Sequence, residues 1–326
     1  MLTSSEDWHW DSWIADDGEL YHLYFLRASR TLGNPGLRHT KATIGHAVSK
    51  DLVEWTNLGE TLGPEPDGWD DLALWTGTTI RGDDGVWRMF YTAINTGGHE
   101  VKDQRIGVVE SDDLHHWRRV IDHPVVEPDG RWYKTLEEDP TASETWRDPF
   151  VFRDPDGDGW RMLLSARQIG AARNDDGVIA QARSNDLINW EVGPPLCEPG
   201  QGFGQLEVLQ IRVIDGQPVL VFTCHPQEMT PERIADADAP REGYPTVKSY
   251  STWYVLGDSV TGSWDISKAR PFVEEPRLFA APLVQARDGS WCFVGFRNYE
   301  PEGIWAFDII DPVPVELRDG ALVVKK

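Results

Sequence analysis

Short apolar and β-branched runs recur along the chain, and most of them follow a turn of Asp and Gly. The runs cover residues 19–26, 86–93, 160–166, 218–224 and 290–296, after turns such as Asp16-Asp17-Gly18 and Asp288-Gly289. Asp-Gly between strand-like runs is a strong short-range indication of a β-hairpin. The pattern predicts five hairpins completed by outer strands, and no amphipathic period persists for three helical turns.

A second repeated segment alternates with these hairpins. The pattern Ser-x-Asp-Leu-x-x-Trp occurs at 49–55, 111–117 and 184–190, with a degenerate copy at 258–264. Each copy follows a strand-like run, at 42–48, 105–110, 178–183 and 252–256. A unit of this size repeated along the chain predicts an all-β, five-bladed β-propeller formed as a single domain over residues 1–326. The Pro-rich and charged stretch 229–247 fits no blade and is interpreted as an inserted loop.

Composition narrows the functional classes. The chain has 31 basic and 54 acidic residues, a net charge of −23, which argues against nucleic acid and anionic membranes as partners. Three cysteines without metal-ligand spacing argue against a disulfide framework or a zinc site. No acidic cage for calcium is evident, so neither a metal nor another cofactor is expected. The N-terminal residues show no secretory pattern, and we expect a cytoplasmic protein.

Three acidic residues in unusual surroundings stand near the predicted starts of three blades. They occur in Trp8-His9-Trp10-Asp11-Ser12-Trp13, in Trp146-Arg147-Asp148-Pro149 and in Gly204-Gln205-Leu206-Glu207. Innermost strands of a propeller converge on one end of its channel, so these acids are predicted to meet there. Glycosyl transfer needs one carboxyl group that protonates the leaving oxygen and one that attacks the anomeric carbon or activates water. Arg147 is expected to keep Asp148 ionised.

These motifs, together with Trp75-Thr76-Gly77-Thr78, resemble in order those of the levansucrase and invertase group, glycoside hydrolase families 68 and 32. The resemblance covers nearly the whole chain, and Trp-Asp-Ser-Trp is closer to the levansucrase side. It implies that Asp11 is the nucleophile, Asp148 the stabiliser of the transition state and Glu207 the general acid/base. The substrate contacts it implies or suggests are Trp10, Trp75, Thr76, Arg147, Gln205 and His225.

Gln205 and Val208 stand where levansucrases carry a second acid and an Arg, both in the neighbouring sugar site. The departure therefore concerns which sugar is bound beside the fructosyl unit. The expected activity is retaining hydrolysis or transglycosylation of β-fructosides, sucrose-like or short fructo-oligosaccharides, through a fructosyl-enzyme intermediate. Two alternatives stay open: an inverting arabinan- or xylan-directed propeller glycosidase, and a non-catalytic sugar-binding propeller. The expected partner is a small sugar, and the oligomeric state is left open.

Overall fold

The computed structural model describes residues 1–95, 103–137, 144–238, 252–272, 278–299 and 305–325. Over these residues the regular secondary structure is mainly antiparallel β-sheet, in six sheets of three or four strands. The predicted all-β class is therefore confirmed. In the described ranges, no helix is both long enough and apolar enough to cross a membrane.

The first four sheets are meanders, in which four strands pair in the order of the sequence. The first contains β1 (Asp7–Asp16), β2 (Tyr21–Ser29), β3 (Thr43–Ser49) and β4 (Thr56–Leu62). The second contains β5 (Ala73–Arg81), β6 (Trp87–Ile94), β7 (Gln104–Ser111) and β8 (Arg118–Arg119). The third contains β9 (Trp146–Arg153), β10 (Trp160–Arg167), β11 (Gly177–Ser184) and β12 (Glu191–Gly193). The fourth contains β13 (Glu207–Ile214), β14 (Gln217–Thr223), β15 (Thr252–Leu256) and β16 (Arg270–Pro271).

The last part of the chain forms two sheets instead of one. One contains β17 (Leu278–Phe279), β20 (Phe296–Tyr299) and β21 (Trp305–Ile309). The other contains β18 (Leu283–Gln285), β19 (Trp291–Phe293), β22 (Val313–Arg318) and β23 (Ala321–Val324). The chain crosses between the two sheets over residues 280–282, 294–295 and 310–312. Six sheets are present where five were predicted, because the last strands are interrupted at these crossings.

The repeated motif makes the turn that leaves the third strand of a sheet. In the first copy, Asp51 accepts hydrogen bonds from the backbone N–H groups of Val53 and Glu54, each at 2.9 Å. The following Leu52 has a left-handed backbone, with φ 67°, and Leu114 and Leu187 have φ 63° and 64°. This conformation is strained for leucine, and burial of the side chain together with the hydrogen bonds to Asp offsets the strain.

The first strands of successive sheets lie side by side around a channel, since β1 contacts β5, β5 contacts β9 and β9 contacts β13. The chain termini close this ring. Leu2 pairs with Ile309 through two backbone hydrogen bonds, at 2.9 and 3.2 Å. The guanidinium of Arg30 donates to the carbonyl of Ala306 at 2.7 Å. The first and last parts of the chain therefore contribute to the same channel wall.

The helices are short. The single α-helix of the described residues is α1 (Pro231–Asp238), and 3-10 helices cover Arg30–Leu32, Pro35–Thr40, Pro226–Glu228 and Ile266–Lys268. Helix α1 belongs to the stretch 229–247 that was predicted as an inserted loop, so its first part is helical. Residues 239–247 of that stretch lie outside the described residues.

Candidate active site

A cavity of about 510 Å³ opens at one end of the channel and contains all three predicted catalytic acids, Asp11, Asp148 and Glu207. The predicted substrate contacts line the same cavity: Trp10, Trp75, Thr76, Arg147, Gln205 and His225. Residues separated by up to about 200 positions in the sequence therefore meet in one site. The prediction of where these residues lie agrees with the structure, while their roles stay predictions.

Each acid lies at a bulge in an innermost strand. The pairing of β1 with β2 shifts between Trp10 and Ser12, and Asp11 has φ 21°. The pairing of β9 with β10 is interrupted around Asp148, which has φ 58°. The pairing of β13 with β14 shifts after Glu207.

These bulges decide which side chains face the cavity. In a regular strand, consecutive side chains point to opposite faces. A bulge adds one residue to the strand, so that two consecutive side chains reach the same side. Accordingly, Trp10 and Asp11 both line the cavity, as do Arg147 and Asp148, Glu207 and Val208, and Trp75 and Thr76. Bulges of this kind are enriched beside active sites.

Asp11 is a buried carboxyl group among other acids. Burial, the largest cause, and the neighbouring carboxylates of Asp148 and Glu207 together raise its pKa from 3.8 to about 7. Two groups act in the opposite direction: Thr76 donates its hydroxyl to Oδ2 of Asp11 at 2.8 Å, and Arg38 contributes positive charge. The predicted hydrogen bond from Thr76 to Asp11 is therefore present.

Asp148 is held by hydrogen bonds from three elements. Its Oδ2 accepts from the hydroxyl of Ser165 at 3.1 Å and from the backbone N–H of Val208 at 3.0 Å. Its own N–H donates to the hydroxyl of Thr92 at 2.9 Å. As expected, the charge of Arg147 favours the ionised form of Asp148. Burial outweighs the attraction of the guanidinium, whose Nε lies 3.5 Å from Oδ2, and the pKa of Asp148 is raised.

Arg147 joins the acids to the neighbouring strand. Its Nη2 donates to Oε1 of both Glu207 and Gln205, and its Nη1 lies 3.4 Å from Oε1 of Gln104. The Glu207 side chain is 21% exposed and lines the cavity. Gln205 and Glu207 share the guanidinium of Arg147. Because Gln205 stands where levansucrases carry a second acid, this chain has one negative charge fewer beside the predicted acid/base.

The rim of the cavity includes residues that the sequence analysis did not identify. They are Leu26, Arg38, His39, Gln104, Gln227, Glu228, Phe279, Phe296, Asn298 and Trp305. Arg38 lies on the 3-10 helix Pro35–Thr40, with its guanidinium 5.6 Å from the Trp10 ring. The carbonyl of His39, from the same helix, accepts a hydrogen bond from the Trp75 indole at 2.7 Å. One indication of these rim residues was present in the sequence: the connection between β2 and β3 is long, and long connections often carry functional residues.

Metal binding finds no support in the described ranges, where no three or more His, Cys, Asp and Glu side chains are placed to hold an ion. Acidic groups outnumber basic ones around the cavity. Its lining contains four carboxyl groups, from Asp11, Asp148, Glu207 and Glu228, and two guanidinium groups. This composition suits a neutral, hydroxyl-rich ligand, whose developing positive charge the carboxylates would stabilise.

A ring of β-sheets with carboxyl groups and indole rings lining one cavity defines a propeller-type protein with a candidate active site. The chain belongs to glycosyl hydrolases family 32, whose N-terminal domain matches residues 13–275. Asp148 and Glu207 fall within the matched region, and Asp11 lies two residues before it. The predicted resemblance to families 68 and 32 is confirmed, while a place nearer the levansucrase side stays a prediction.

Among curated proteins, a cell wall isozyme of β-fructofuranosidase from Pisum sativum is 27% identical over 206 residues, which are 60% of this chain and 33% of that protein. The chain thus spans about a third of the length of this relative. Among solved structures, an inulosucrase from Halalkalicoccus jeotgali bound to kestose superposes with a TM-score of 0.79 at 22% identity, covering 98% of this chain and 87% of that one. Bacillus subtilis levansucrase gives 0.75 at 15%, covering 100% and 88%. At these identities the superpositions show a shared fold.

Proposed function

We propose that this protein is a retaining glycoside hydrolase or transglycosylase that acts on β-fructosides such as sucrose or short fructo-oligosaccharides. The observation that carries the proposal is the meeting of Asp11, Asp148 and Glu207 in one cavity with indole rings beside them. Membership of family 32 and the fold shared with a kestose-bound inulosucrase support the fructosyl unit as the transferred group.

In the proposed mechanism, the ionised carboxylate of Asp11 attacks the anomeric carbon while Glu207 protonates the leaving oxygen. The bond to the leaving sugar breaks as the fructosyl–Asp11 ester forms. Glu207 then removes a proton from water or from an acceptor sugar, which attacks the ester and releases Asp11. Asp148, held by Ser165 and Val208, would bind hydroxyl groups of the fructosyl ring and stabilise the positive charge of both transition states.

The proposed mechanism requires Asp11 to be ionised when it reacts. Burial and the neighbouring carboxylates raise the pKa of Asp11 to about 7. Positive charge that develops on the fructosyl unit in the transition state favours the ionised form of Asp11, which is the form that attacks. Thr76 holds one carboxylate oxygen at 2.8 Å, which leaves the other oxygen for attack.

Product analysis tests the proposal directly. The purified protein is incubated separately with sucrose, kestose, arabinan and xylan, with Asp11→Asn as the inactive control, and products are separated by chromatography. Release or transfer of fructose by the wild type, absent in Asp11→Asn, is the expected result. Turnover of arabinan or xylan alone would establish the inverting alternative. Binding of fructosides without turnover by the wild type would establish a sugar-binding protein.

We also propose that the two C-terminal sheets together form one bent fifth blade, in a single domain over residues 1–326. The support is that the interrupted strands continue one another across short crossings: β17 with β18, β20 with β19 and β21 with β22.

A cytoplasmic location is proposed as well, supported by three buried thiols, Cys197, Cys224 and Cys292, none of which is in a disulfide. Cell fractionation checks the location, and an experimental structure checks the blade count.

A further inference from the structure

A second cavity, of about 340 Å³, continues along the innermost strands beyond the carboxyl groups. The residues common to both cavities are Thr76, Asp148 and Val208. On β13, Glu207 lines only the first cavity, whereas Gln210 and Arg212 line only the second. Beyond the bulge that follows Glu207, the alternation of side chains along the strand places Gln210 and Arg212 on the same face, toward the channel. The proposed fructoside reaction uses no group of the second cavity beyond the three shared residues.

Arg212 brings a positive charge into the second cavity without a carboxylate partner among the described residues. Its Nε donates to the carbonyl of Leu283 at 3.1 Å, and its Nη1 donates to the carbonyl of Ile211 at 3.5 Å. Its guanidinium carbon lies 4.9 Å from the centre of the Phe150 ring. All these partners are neutral. Burial lowers the pKa of Arg212 to about 10, so the side chain is still cationic at neutral pH.

The acids that line the second cavity are already engaged by other groups. Asp16 is bound by the guanidinium of Arg287, with Nη2 at 2.5 Å and Nε at 3.1 Å. Asp148 accepts from Ser165 and Val208, as described above. A buried cation without a counter-charge is costly, and an anion that binds beside it recovers part of that cost. In a chain of net charge −23, this guanidinium is an unusual feature.

We propose that the second cavity is a binding site for a small molecule that carries an oxyanion, a phosphate or carboxylate group, with Arg212 as its main contact. Guanidinium groups bind both oxyanions through paired hydrogen bonds. Gln210 is oriented to assist, because its Oε1 accepts from the N–H of Leu283 at 3.0 Å, which leaves its amide NH₂ as a donor. The indole rings of Trp13 and Trp291 also line the cavity and provide an apolar wall for the rest of the ligand.

Calorimetric titration tests the site with three probes: inorganic phosphate, glucose 6-phosphate and malonate, each against chloride at equal ionic strength. The wild type is expected to bind at least one of the three, and Arg212→Gln to bind it at least tenfold more weakly. The probe that binds best distinguishes a free phosphate, a sugar phosphate and a carboxylate as the source. The matched control is Arg318→Gln, since Arg318 pairs with Glu316 on β22 and lines neither cavity. This control should bind as the wild type does.

Three results would overturn the proposal: no binding of any probe by the wild type, equal binding by Arg212→Gln, or a loss of binding in Arg38→Gln instead, which would place the anion in the first cavity. If Arg212→Gln does not fold, tryptophan fluorescence of the wild type provides the second measurement. The change caused by the bound probe should disappear in the double variant Trp13→Phe/Trp291→Phe, which removes both indole rings of the cavity, and its persistence there would contradict the site. No fructoside is present in these titrations, so their outcome is independent of the proposed catalytic activity.

Discussion

Replacing Asp11 by Asn should abolish turnover and, at the same time, make the protein more stable at neutral and alkaline pH. Asn keeps the shape of the side chain and can still accept the hydrogen bond from Thr76, but it cannot act as a carboxylate nucleophile. Loss of the covalent step should lower kcat by several powers of ten. The substitution also removes a carboxyl group whose ionisation in the folded protein is unfavourable.

The size of the stability change follows from the pKa of Asp11, which burial beside Asp148 and Glu207 raises from 3.8 to about 7. Below pH 3.8, Asp11 is protonated in both the folded and the unfolded protein. Between pH 3.8 and about 7 the unfolded chain has lost this proton while the folded protein still holds it, so the free energy of unfolding falls as the pH rises. At about 1.36 kcal/mol per pH unit, the full loss is about 4 kcal/mol. Water in the open cavity reduces it, and we expect Asp11→Asn to be more stable than the wild type by about 2–4 kcal/mol at pH 8.

Thermal and urea unfolding at pH 4, 6 and 8 measure this difference, which should be near zero at pH 4 and grow to its full value above pH 7. Asp51→Asn is the control with the opposite sign. Hydrogen bonds from the backbone of Glu54 and Val53 lower the pKa of Asp51, so the ionised carboxylate stabilises the folded wild type. Asp51→Asn should therefore be less stable than the wild type by the same amount at pH 6 and pH 8, and the difference should shrink only as the pH falls below the ordinary carboxyl range. An Asp11→Asn protein that is no more stable than the wild type at pH 8 would refute the reasoning about the cavity, and near-normal activity would refute the role of Asp11.

Three further predictions concern single side chains of the first cavity. Thr76→Val removes the hydroxyl that stabilises ionised Asp11. A hydrogen bond to a charged group contributes about 1.5–3 kcal/mol, so the acidic limb of the kcat/KM profile should move to higher pH by about one to two units. Glu207→Gln should lose most activity on sucrose while fructosyl fluoride, whose leaving group needs no protonation, still forms the covalent intermediate in a rapid-mixing burst assay. Trp75→Ala should raise KM for fructosides, because the indole that lines the cavity is removed.

The control for Thr76→Val is a neighbouring threonine, and each of the three predictions has a result that would contradict it. Thr79→Val removes a hydroxyl that accepts from the Trp13 indole, and it should leave the pH profile in place. An unchanged profile in Thr76→Val would show that this hydroxyl does not control Asp11. Equal losses on sucrose and fructosyl fluoride in Glu207→Gln would assign that residue another role. An unchanged KM in Trp75→Ala would show that the ring serves only packing.

The strands could be predicted because their information is local. The apolar runs and the Asp/Gly turns placed the second and third strands of the first four sheets within about three residues of their observed ends. The Ser-x-Asp-Leu motif carries its own turn, since the side chain of Asp51 binds backbone groups only two and three residues away. The motifs around Asp11, Asp148 and Glu207 were likewise readable, because each combines an acid with aromatic or basic neighbours in one short segment.

Other features depend on contacts between distant segments. The split of the last strands into two sheets was not predicted, since crossings such as 294–295 interrupt a run that is continuous in its apolar character. Arg38, Phe279 and Trp305 reach the cavity from segments without a catalytic motif. The upward direction of the Asp148 pKa shift could not be predicted, because the neighbour Arg147 is visible in the sequence whereas the burial that outweighs its charge is not.

The sequence by itself determined the all-β class, the order of the strands and the identity of the three acids, because residue type and spacing encode hairpins and short motifs directly. The tertiary structure decided which side chains share a cavity and how strongly their charges interact. Those properties arise from the bulges at Asp11 and Asp148, the closure of Leu2 on Ile309 and the desolvation of the channel wall. Bulges, ring closure and burial depend on segments packed together from opposite ends of the chain, and no local pattern of residues specifies them.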